Sequence, residues 1–248
     1  MDRRNASLLI EKGRYRARLA QCAQDLARAQ TLRHLAFHGR EGRDADAFDV
    51  LSSHILVEDM CSGVLVGCCR FQPLDAGAIS QSYAAQYYEL SGLERFDGTL
   101  VELGRFCVAP GRGDPDILRL AWAMLTRYVD ENDVKMLFGC ASFSGTDATR
   151  YRDAFAMLRE RHLAPDRWRP RVKAPQVVRF DAGPWAKVDT KRALLAMPPL
   201  LRSYLMMGGW VSDHAVVDRQ MNTLHVFTGL EIAAIPPARK RLLRADAA

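Results

Sequence analysis

The stretch Glu102-Leu-Gly-Arg-Phe-Cys-Val108 places two charged side chains inside a run that otherwise has the composition of a buried strand. Upstream, the apolar run 64–71 holds a third charge, Arg70. Charges inside apolar strands are costly unless they are paired. We therefore expect Glu102, Arg70 and Arg105 to form either a buried ion-pair network or a polar functional site built into a sheet. We favour the functional site, because three charges are hard to hold in strands without a purpose.

The composition indicates one large domain, or one domain with an extension, whose surface is mildly basic. The chain has 248 residues, a hydrophobic content of 48% and a formal net charge of +6. A basic surface favours an acidic partner such as a carrier protein or anionic lipid, although this small excess of charge identifies none by itself. No basic run resembles a nucleic-acid-binding arm, so we expect no nucleic-acid partner.

The cysteines and the apolar runs indicate the compartment. Six cysteines show no metal-ligand spacing and mostly lie in apolar runs, which favours a reducing compartment without disulfides. No apolar run approaches the roughly 20 residues of a membrane span, and the N-terminus lacks the apolar core of a signal peptide. We expect a cytoplasmic protein, with membrane-peripheral contact as a further expectation.

The order of predicted elements favours an α/β fold in which helices sandwich one mixed β-sheet. We predict strands at 15–19, 100–108, 136–143 and 176–180, a β-hairpin from 53–58 and 64–71, and helices at 23–37, 80–90, 116–130 and 147–161. An extension follows, with a helix at 191–207 that Pro198 and Pro199 kink or split, and extended segments at 211–217 and 223–228. The predicted domains are a core over 1–180 and a C-terminal extension over 181–248 packed on it.

A glycine-containing turn joins the strand at 100–108 to the helix that follows. Backbone N–H groups and the positive dipole at a helix N-terminus suit an anion such as a nucleotide or phosphopantetheine phosphate. Gly111 and Gly113 provide the turn, and Arg112 adds a phosphate-pairing charge. We also expect Asp114 to cap this helix.

Further ionisable residues precede these strands. Arg33 and Phe37 lie one helical turn apart, and Asp46 and Asp49 follow in a polar loop. Taken singly, we expect Arg33 to be a surface charge and the aspartates to be solvated. Among the histidines, His54 is the one we would test, because it starts a strand close to the acidic loop.

Two other types of site find no support. His34 and His38 have the spacing of a metal pair but no obvious third ligand, so no metal is expected. No motif of a serine nucleophile is present.

The combined order of these residues resembles the acyl-homoserine-lactone synthase branch of the GNAT superfamily. The resembling features are the helix with Arg33 and Phe37, then Asp46-x-x-Asp49, Arg70 at a strand end, and Glu102-x-x-Arg105. That branch places a tryptophan in the loop where S-adenosylmethionine binds. Here the loop 38–43 has no Trp, Tyr or Phe, which disfavours a reaction with S-adenosylmethionine.

The chain is more similar to the L-ornithine Nα-acyltransferases of ornithine-lipid biosynthesis. The resembling segments cover about residues 12 to 237; they are 48–57, 102–108, 114–119, 137–147, 197–204 and 209–228. The resemblance implies a GNAT-like, autoinducer-synthase-like fold with a C-terminal helix-plus-strand extension. It also implies transfer of a (3-hydroxy)fatty acyl group from acyl carrier protein to the α-amine of L-ornithine. The product would be lyso-ornithine lipid, and the acyl-phosphopantetheine of the carrier would be the donor, with no separate cofactor.

The resemblance assigns roles to single residues. Glu102, Arg105 and Arg70 are the candidate catalytic residues; Glu102 would be the general base, and either arginine could instead hold the carboxylate of the amino acid. A backbone N–H in Phe106–Val108 would bind the thioester carbonyl. Asp46 and Asp49 are candidates for the side-chain ammonium of ornithine. The full predicted substrate-binding set is Arg33, Phe37, Asp46, Asp49, His54, Phe106, Cys107 and Val108.

Several alternatives stay open at this point. The same chemistry could act on glutamine or glycine, and a lactone synthase or an acetyl-CoA-dependent acetyltransferase would use a related fold. An inactive lipid- or carrier-binding module would bind without turnover and tolerate substitution of Glu102. Arg119, Arg169 and Arg171 could dock an acidic carrier, although a plain surface position is the more common explanation for each. The basic tail 239–244 could touch anionic lipid.

Overall fold

A computed structural model describes residues 8–181 and 189–247 of the chain. They form two compact units. The first unit contains residues 8–73, 103–134 and 237–247, and the second contains residues 74–102, 135–181 and 189–236.

Every predicted strand is present, as are the predicted helices at 23–37 and 116–130, whereas the short strands at 9–12, 88–89 and 171–172 were not predicted. The strands are β1 (Leu9–Lys12), β2 (Tyr15–Leu19), β3 (Ser53–Asp59), β4 (Leu65–Leu74), β5 (Tyr88–Glu89), β6 (Thr99–Val108), β7 (Val134–Ser144), β8 (Arg171–Val172), β9 (Val177–Arg179), β10 (Trp210–Val211), β11 (His214–Asp218) and β12 (Thr223–Glu231). The α-helices are α1 (Ala23–His38), α2 (Pro115–Glu131), α3 (Arg152–Arg161), α4 (Thr190–Ala196), α5 (Pro199–Met206) and α6 (Pro237–Ala247).

In the first unit, the strands follow the order β1-β2-β3-β4-β6, and the first three neighbouring pairs are antiparallel. The predicted hairpin is confirmed as β3 and β4, with His54 opposite Arg70 in the register. Small buried side chains let α1 pack closely on these strands; the cluster includes Ala29, Leu56, Cys68 and Cys107. The thiols of Cys68 and Cys107 lie 3.6 Å apart.

The cap of α2 is also confirmed. The Asp114 side chain accepts a hydrogen bond from the backbone N–H of Asp116, and Pro115 occupies the first turn. This bond satisfies one of the N–H groups that a helix start leaves without a partner. The cap fixes where the glycine turn ends and α2 begins.

In the second unit, β7 and β12 form the longest antiparallel pair, from Thr223 opposite Ser144 to Glu231 opposite Met136. β11 pairs with β12 on one side and with β9 on the other. Two apolar clusters pack here. One contains Tyr88, Phe138 and Phe227, and the other contains Phe143, Phe155 and Phe180. Aromatic side chains from β7, β12, α3 and the shorter segments therefore contribute much of this core.

Two predicted helices are corrected. The segment 80–90 is not a helix; it forms 3-10 turns at Ala76–Gln81 and Ala84–Gln86 and then β5. The segment 147–161 begins as a 3-10 turn before α3. The predicted break at Pro198 and Pro199 is confirmed, because α4 ends at Ala196 and α5 begins at Pro199. The domain boundary at residue 180 stays a prediction.

Candidate functional site

Arg33 is the buried centre of a charged cluster in the first unit. Arg33 is only 1% exposed, whereas we expected a surface charge. Its Nε donates to Asp44 at 2.7 Å and its Nη1 donates to Asp49 at 2.7 Å. The expectation failed because helical spacing does not show that a loop 11 to 16 residues further along folds back over this face.

Arg70 and Arg105 complete this cluster. Arg70 Nη2 donates to Asp46 at 2.9 Å, and its Nη1 donates to Asp49 at 2.7 Å. Arg105 Nη2 donates to Asp46 at 3.0 Å, and its Nε lies 3.0 Å from Asp44. We call the set the arginine–aspartate network; it consists of Arg33, Arg70, Arg105, Asp44, Asp46 and Asp49. Three cations face three anions, so the network balances its own charge.

The network lowers the pKa of two of its carboxyl groups, Asp49 and Asp46. Burial opposes ionisation of Asp49, but hydrogen bonds from Arg33, Gln30 and Arg70 outweigh it and hold the pKa of this carboxyl well below its ordinary value. Asp46 behaves similarly. Burial raises its pKa, but Arg70 and Arg105 lower it by more, so the pKa lies below its ordinary value. Asp49 is 3% exposed, so the expected solvated loop is wrong at this residue.

Arg105 also has an uncommon backbone conformation. Its φ is 53°, in the left-handed region that residues other than glycine seldom adopt. Such a residue inside a strand costs roughly 1–3 kcal/mol and is concentrated at functional sites. The neighbouring Gly104 lies against the Arg70 side chain, since a Cβ there would be in van der Waals contact with its Nε at 3.4 Å. The strand is therefore shaped locally around these two arginines.

His54 and Phe37 line the same unit. Nε2 of His54 lies 3.0 Å from the carbonyl oxygen of Asp49, and burial lowers the pKa of this imidazole. Phe37 is partly buried against the apolar cluster beneath α1. The structure thus brings His54, Asp49 and the arginines together, while Phe37 lies on the packing side of the helix.

Glu102 belongs to the second unit and is held by backbone donors. Its two carboxylate oxygens accept hydrogen bonds from the N–H groups of Tyr83 and Ala84, each at 2.7 Å. Glu102 is 5% exposed. The two backbone N–H donors therefore fix the position and orientation of this side chain. The segment 80–90, which we predicted as a helix, thus provides the backbone N–H groups that bind this carboxylate. The sequence did not indicate this contact.

The glycine turn follows β6 in the first unit. Gly111 has a φ of 77°, and a Cβ at Gly111 or Gly113 would meet nothing within 4 Å. Arg112 is 37% exposed at its side chain and lies 3.8 Å from Asp59, which also pairs with Arg14. The turn is open enough for a phosphate to approach it. Phosphate binding at this turn stays a prediction.

The remaining predicted positions are plainly located. Phe106, Cys107 and Val108 form the last part of β6, where Cys107 is buried. Arg119 and Arg169 pair with acidic residues three positions away, and Arg171 is 80% exposed at its side chain. Within residues 8–181 and 189–247, no three His, Cys, Asp or Glu side chains come together as metal ligands, and no helix is long and apolar enough to cross a membrane.

The strand β6, the glycine-containing turn after it and the helix α2 that follows are features of a GNAT-class acyltransferase fold. A family model described as an acetyltransferase (GNAT) domain matches residues 29–123. Two solved structures share the fold, each with a TM-score of 0.50. One is FeeM, an N-acyl amino acid synthase from uncultured soil microbes, which is 11% identical over 94% of this chain and 97% of that chain. The other is the acyl-homoserine lactone synthase BjaI, which is 12% identical over 91% of this chain and 83% of that chain.

Sequence relatives narrow the class. The chain is 34% identical to the L-ornithine Nα-acyltransferase of Rhodobacter capsulatus over 89% of this chain and 91% of that protein. It is 30% identical to the protein of that name from Brucella abortus, over 93% of this chain and 89% of the relative. The chain belongs to the L-ornithine Nα-acyltransferase family. This confirms both the resemblance and the GNAT-like fold that the sequence predicts.

Proposed function

We propose that this acyltransferase moves a 3-hydroxyacyl group from acyl carrier protein to the α-amine of L-ornithine and so makes lyso-ornithine lipid. One observation carries the proposal: relatives named for ornithine Nα-acylation match nine-tenths of this chain and of their own lengths. The lack of Trp, Tyr and Phe in the loop 38–43 disfavours the lactone synthase reaction.

The chemistry needs a base, a polarised carbonyl and a leaving thiol. In our proposal, Glu102 removes a proton from the α-ammonium, directly or through a water. The free amine attacks the thioester carbonyl, the N–C bond forms and the C–S bond breaks. The attacking nitrogen loses a second proton as the amide forms. One of the two protons passes to the pantetheine thiolate as it leaves, and the other is released to solvent. The two N–H bonds that hold Glu102 support this role, because they fix the orientation of the carboxylate.

Backbone and arginine groups take the other roles. N–H groups in Phe106–Val108 would bind the oxyanion that forms on the thioester carbonyl. Arg70 or Arg105 would hold the carboxylate of the amino acid. Both already face aspartates, but a guanidinium has five N–H donors, so a second carboxylate can share it. Gly111, Arg112 and Gly113 would bind the phosphate of the donor.

We also propose that the reaction takes place in the cytoplasm at a membrane surface, because the product is an amphiphile. Leu194 and Leu195 on α4 are 45% and 73% exposed, and they follow Lys191 and Arg192 in sequence. Exposed leucines beside cations suit an anionic lipid surface. The basic tail predicted for this role forms α6, where Arg244 instead pairs with Asp130.

A single mixture tests the proposal. Purified protein would be combined with 3-hydroxypalmitoyl carrier protein and equimolar ornithine, glutamine, glycine and S-adenosylmethionine, and the products would be identified by mass spectrometry. We expect Nα-acylornithine. An acylated glutamine or glycine would move the specificity, a lactone would support the synthase alternative, and an intact donor would contradict acyl transfer.

A further inference from the structure

Asp218, at the end of β11 in the second unit, is a buried carboxylate that no cation among residues 8–181 and 189–247 balances. The residue is 8% exposed. Its Oδ1 accepts a hydrogen bond from the backbone N–H of Met221 at 3.0 Å and so closes the turn to β12. Within the described part of the chain, no Lys, Arg or His nitrogen lies at ion-pair distance from it. An asparagine would close this turn equally well. The turn therefore does not explain the negative charge.

His225 adds a second unmatched acceptor on the same face of the sheet. In the β11–β12 register, Val216 lies opposite His225 and Asp218 lies opposite Thr223, so Asp218 and His225 are diagonal neighbours. His225 is 3% exposed, and its Nε2 has no hydrogen-bond partner among the described residues. Buried ring nitrogens normally find a partner. This nitrogen therefore needs explanation.

The neighbouring Tyr88 determines which ring nitrogen of His225 carries the proton. Its single hydroxyl proton is donated to the carbonyl oxygen of His225 at 2.8 Å, and Nδ1 of the same histidine lies 3.2 Å from that hydroxyl. Nδ1 must then be the donor of the second contact, because the phenol has no further proton to give. Burial lowers the pKa of His225 to about 4, so the ring is neutral near pH 7. Nε2 is consequently a bare acceptor.

Two tyrosines connect this pair to Glu102 within the second unit. The N–H of Tyr83 donates to Glu102, and the hydroxyls of Tyr83 and Tyr87 lie 3.4 Å apart. The Tyr87 ring packs edge-on against His225, with ring centres 4.9 Å apart. Burial, the Tyr83 hydroxyl and the nearby Asp218 carboxylate raise the pKa of Tyr87. A continuous series of contacts thus runs from the proposed base to the two acceptors.

We propose that Asp218 and Nε2 of His225 bind the side-chain ammonium of the amino-acid acceptor while Glu102 receives the proton of its α-amine. An ammonium has three N–H donors and a positive charge, which matches a carboxylate and a neutral imidazole nitrogen. Asp46 and Asp49 suit this role less, because arginines already pair with both carboxylates. The inference rests on the proposed function and deepens it, since it assigns the residues that would select a basic amino acid.

The test compares ornithine with norvaline, which has the same carbon chain but no δ-ammonium. The variant Asp218→Asn keeps an oxygen for the Met221 N–H and removes only the charge. Asp147→Asn is the matched control, because Asp147 likewise accepts a backbone N–H in the same unit but is exposed. Binding of each amino acid would be measured by calorimetry, and acylation by mass spectrometry. Thermal unfolding would verify that both variants fold.

We expect the wild type to prefer ornithine to norvaline. Asp218→Asn should lower ornithine affinity and kcat/KM about 10²-fold, as for removing one partner of a buried charge pair, and leave norvaline unchanged. Equal loss for both amino acids, or an unchanged preference in Asp218→Asn, would overturn the inference. Charge-dependent ornithine binding without acylation would instead overturn the proposed function and keep the ammonium site.

Discussion

The arginine–aspartate network of the first unit and the Asp218–His225 pair of the second unit treat buried charge in opposite ways. In the network, three guanidinium groups meet three carboxylates at distances near 3 Å. At the pair, a carboxylate and a neutral imidazole both offer acceptors, and no cation in the described part of the chain lies at ion-pair distance from the carboxylate. A balanced cluster is complete without a ligand, whereas an unbalanced one is costly until a ligand arrives.

This contrast assigns different work to the two regions. The network ties α1, the loop after it, β4 and β6 of the first unit to one another, so we interpret it mainly as a positioning device. The pair is interpreted as a place where the acceptor supplies the missing charge. We expect substitutions in the network to change stability. We expect substitutions at Glu102 and at the pair to change turnover and substrate preference.

The largest effect is expected from removal of the central cation. Arg33→Met would leave Asp44 and Asp49 without their main partner in a buried place, and we expect a loss of about 3–5 kcal/mol in the free energy of unfolding. Urea denaturation measures it. Arg192→Met is the control, because its side chain is 78% exposed and we expect a change within about 0.5 kcal/mol. An Arg33→Met protein as stable as the control would show that the network does not stabilise the fold.

Substitution of Glu102 should act on turnover and leave the fold intact. Glu102→Gln keeps an oxygen for one of the two backbone N–H groups but removes the base. We expect turnover to fall about 10²-fold or more, at least roughly 2.7 kcal/mol of barrier. Steady-state kinetics with carrier-bound donor measure this, and circular dichroism verifies the fold. Near-normal turnover in a folded variant would remove Glu102 from the role of base.

The pH dependence of stability should show the buried neutral His225. Burial, opposed by Asp218 and assisted by His214, lowers its pKa to about 4, whereas an unfolded histidine titrates near 6.5. The unfolded state therefore binds more protons between these values, and stability present above pH 6.5 is lost as the pH falls towards 4. Between pH 7 and 4.5 this one group should contribute a loss of about 2–3 kcal/mol.

The matched variant for this prediction is His225→Asn, whose amide nitrogen can replace Nδ1 as the donor to Tyr88. Urea denaturation at both pH values should show a correspondingly smaller pH-dependent loss in the variant. Equal losses in the two proteins would mean that His225 is not held neutral by the fold.

The smallest effect is expected at the more exposed edge of the network. The Asp46 side chain is 23% exposed, and its loss leaves Arg33, Arg70 and Arg105 with Asp44 and Asp49. Asp46→Asn should cost about 1 kcal/mol of stability. It should also keep the preference for ornithine over norvaline. If Asp46→Asn lost the preference for ornithine over norvaline, the ammonium site would instead lie in the first unit.

The sequence predicts those features that depend on local patterns. The β3–β4 hairpin follows from two apolar runs around a polar turn, the cap at Asp114 from an aspartate before a proline, and the break at Pro198 from two consecutive prolines. Each signal lies within about ten residues of the feature. Features of this kind are decided by backbone geometry and by short-range periodicity.

The features that the sequence missed depend on distant partners. Arg33 has the pattern of an exposed helical charge, and only the folded loop that carries Asp44 and Asp49 buries it. The seat for Glu102 comes from N–H groups of 3-10 turns, which have no side-chain signal. Asp218 lies two residues beyond Val216 and therefore on the same face of β11. Its meaning appears only when the register places His225 beside it.

A crystal structure of the protein with bound L-ornithine would test the account most directly. We expect the α-amine beside Glu102 and the δ-ammonium between Asp218 and Nε2 of His225, with the arginine–aspartate network unchanged. A δ-ammonium held instead by Asp46 and Asp49, with their arginines displaced, would contradict the account.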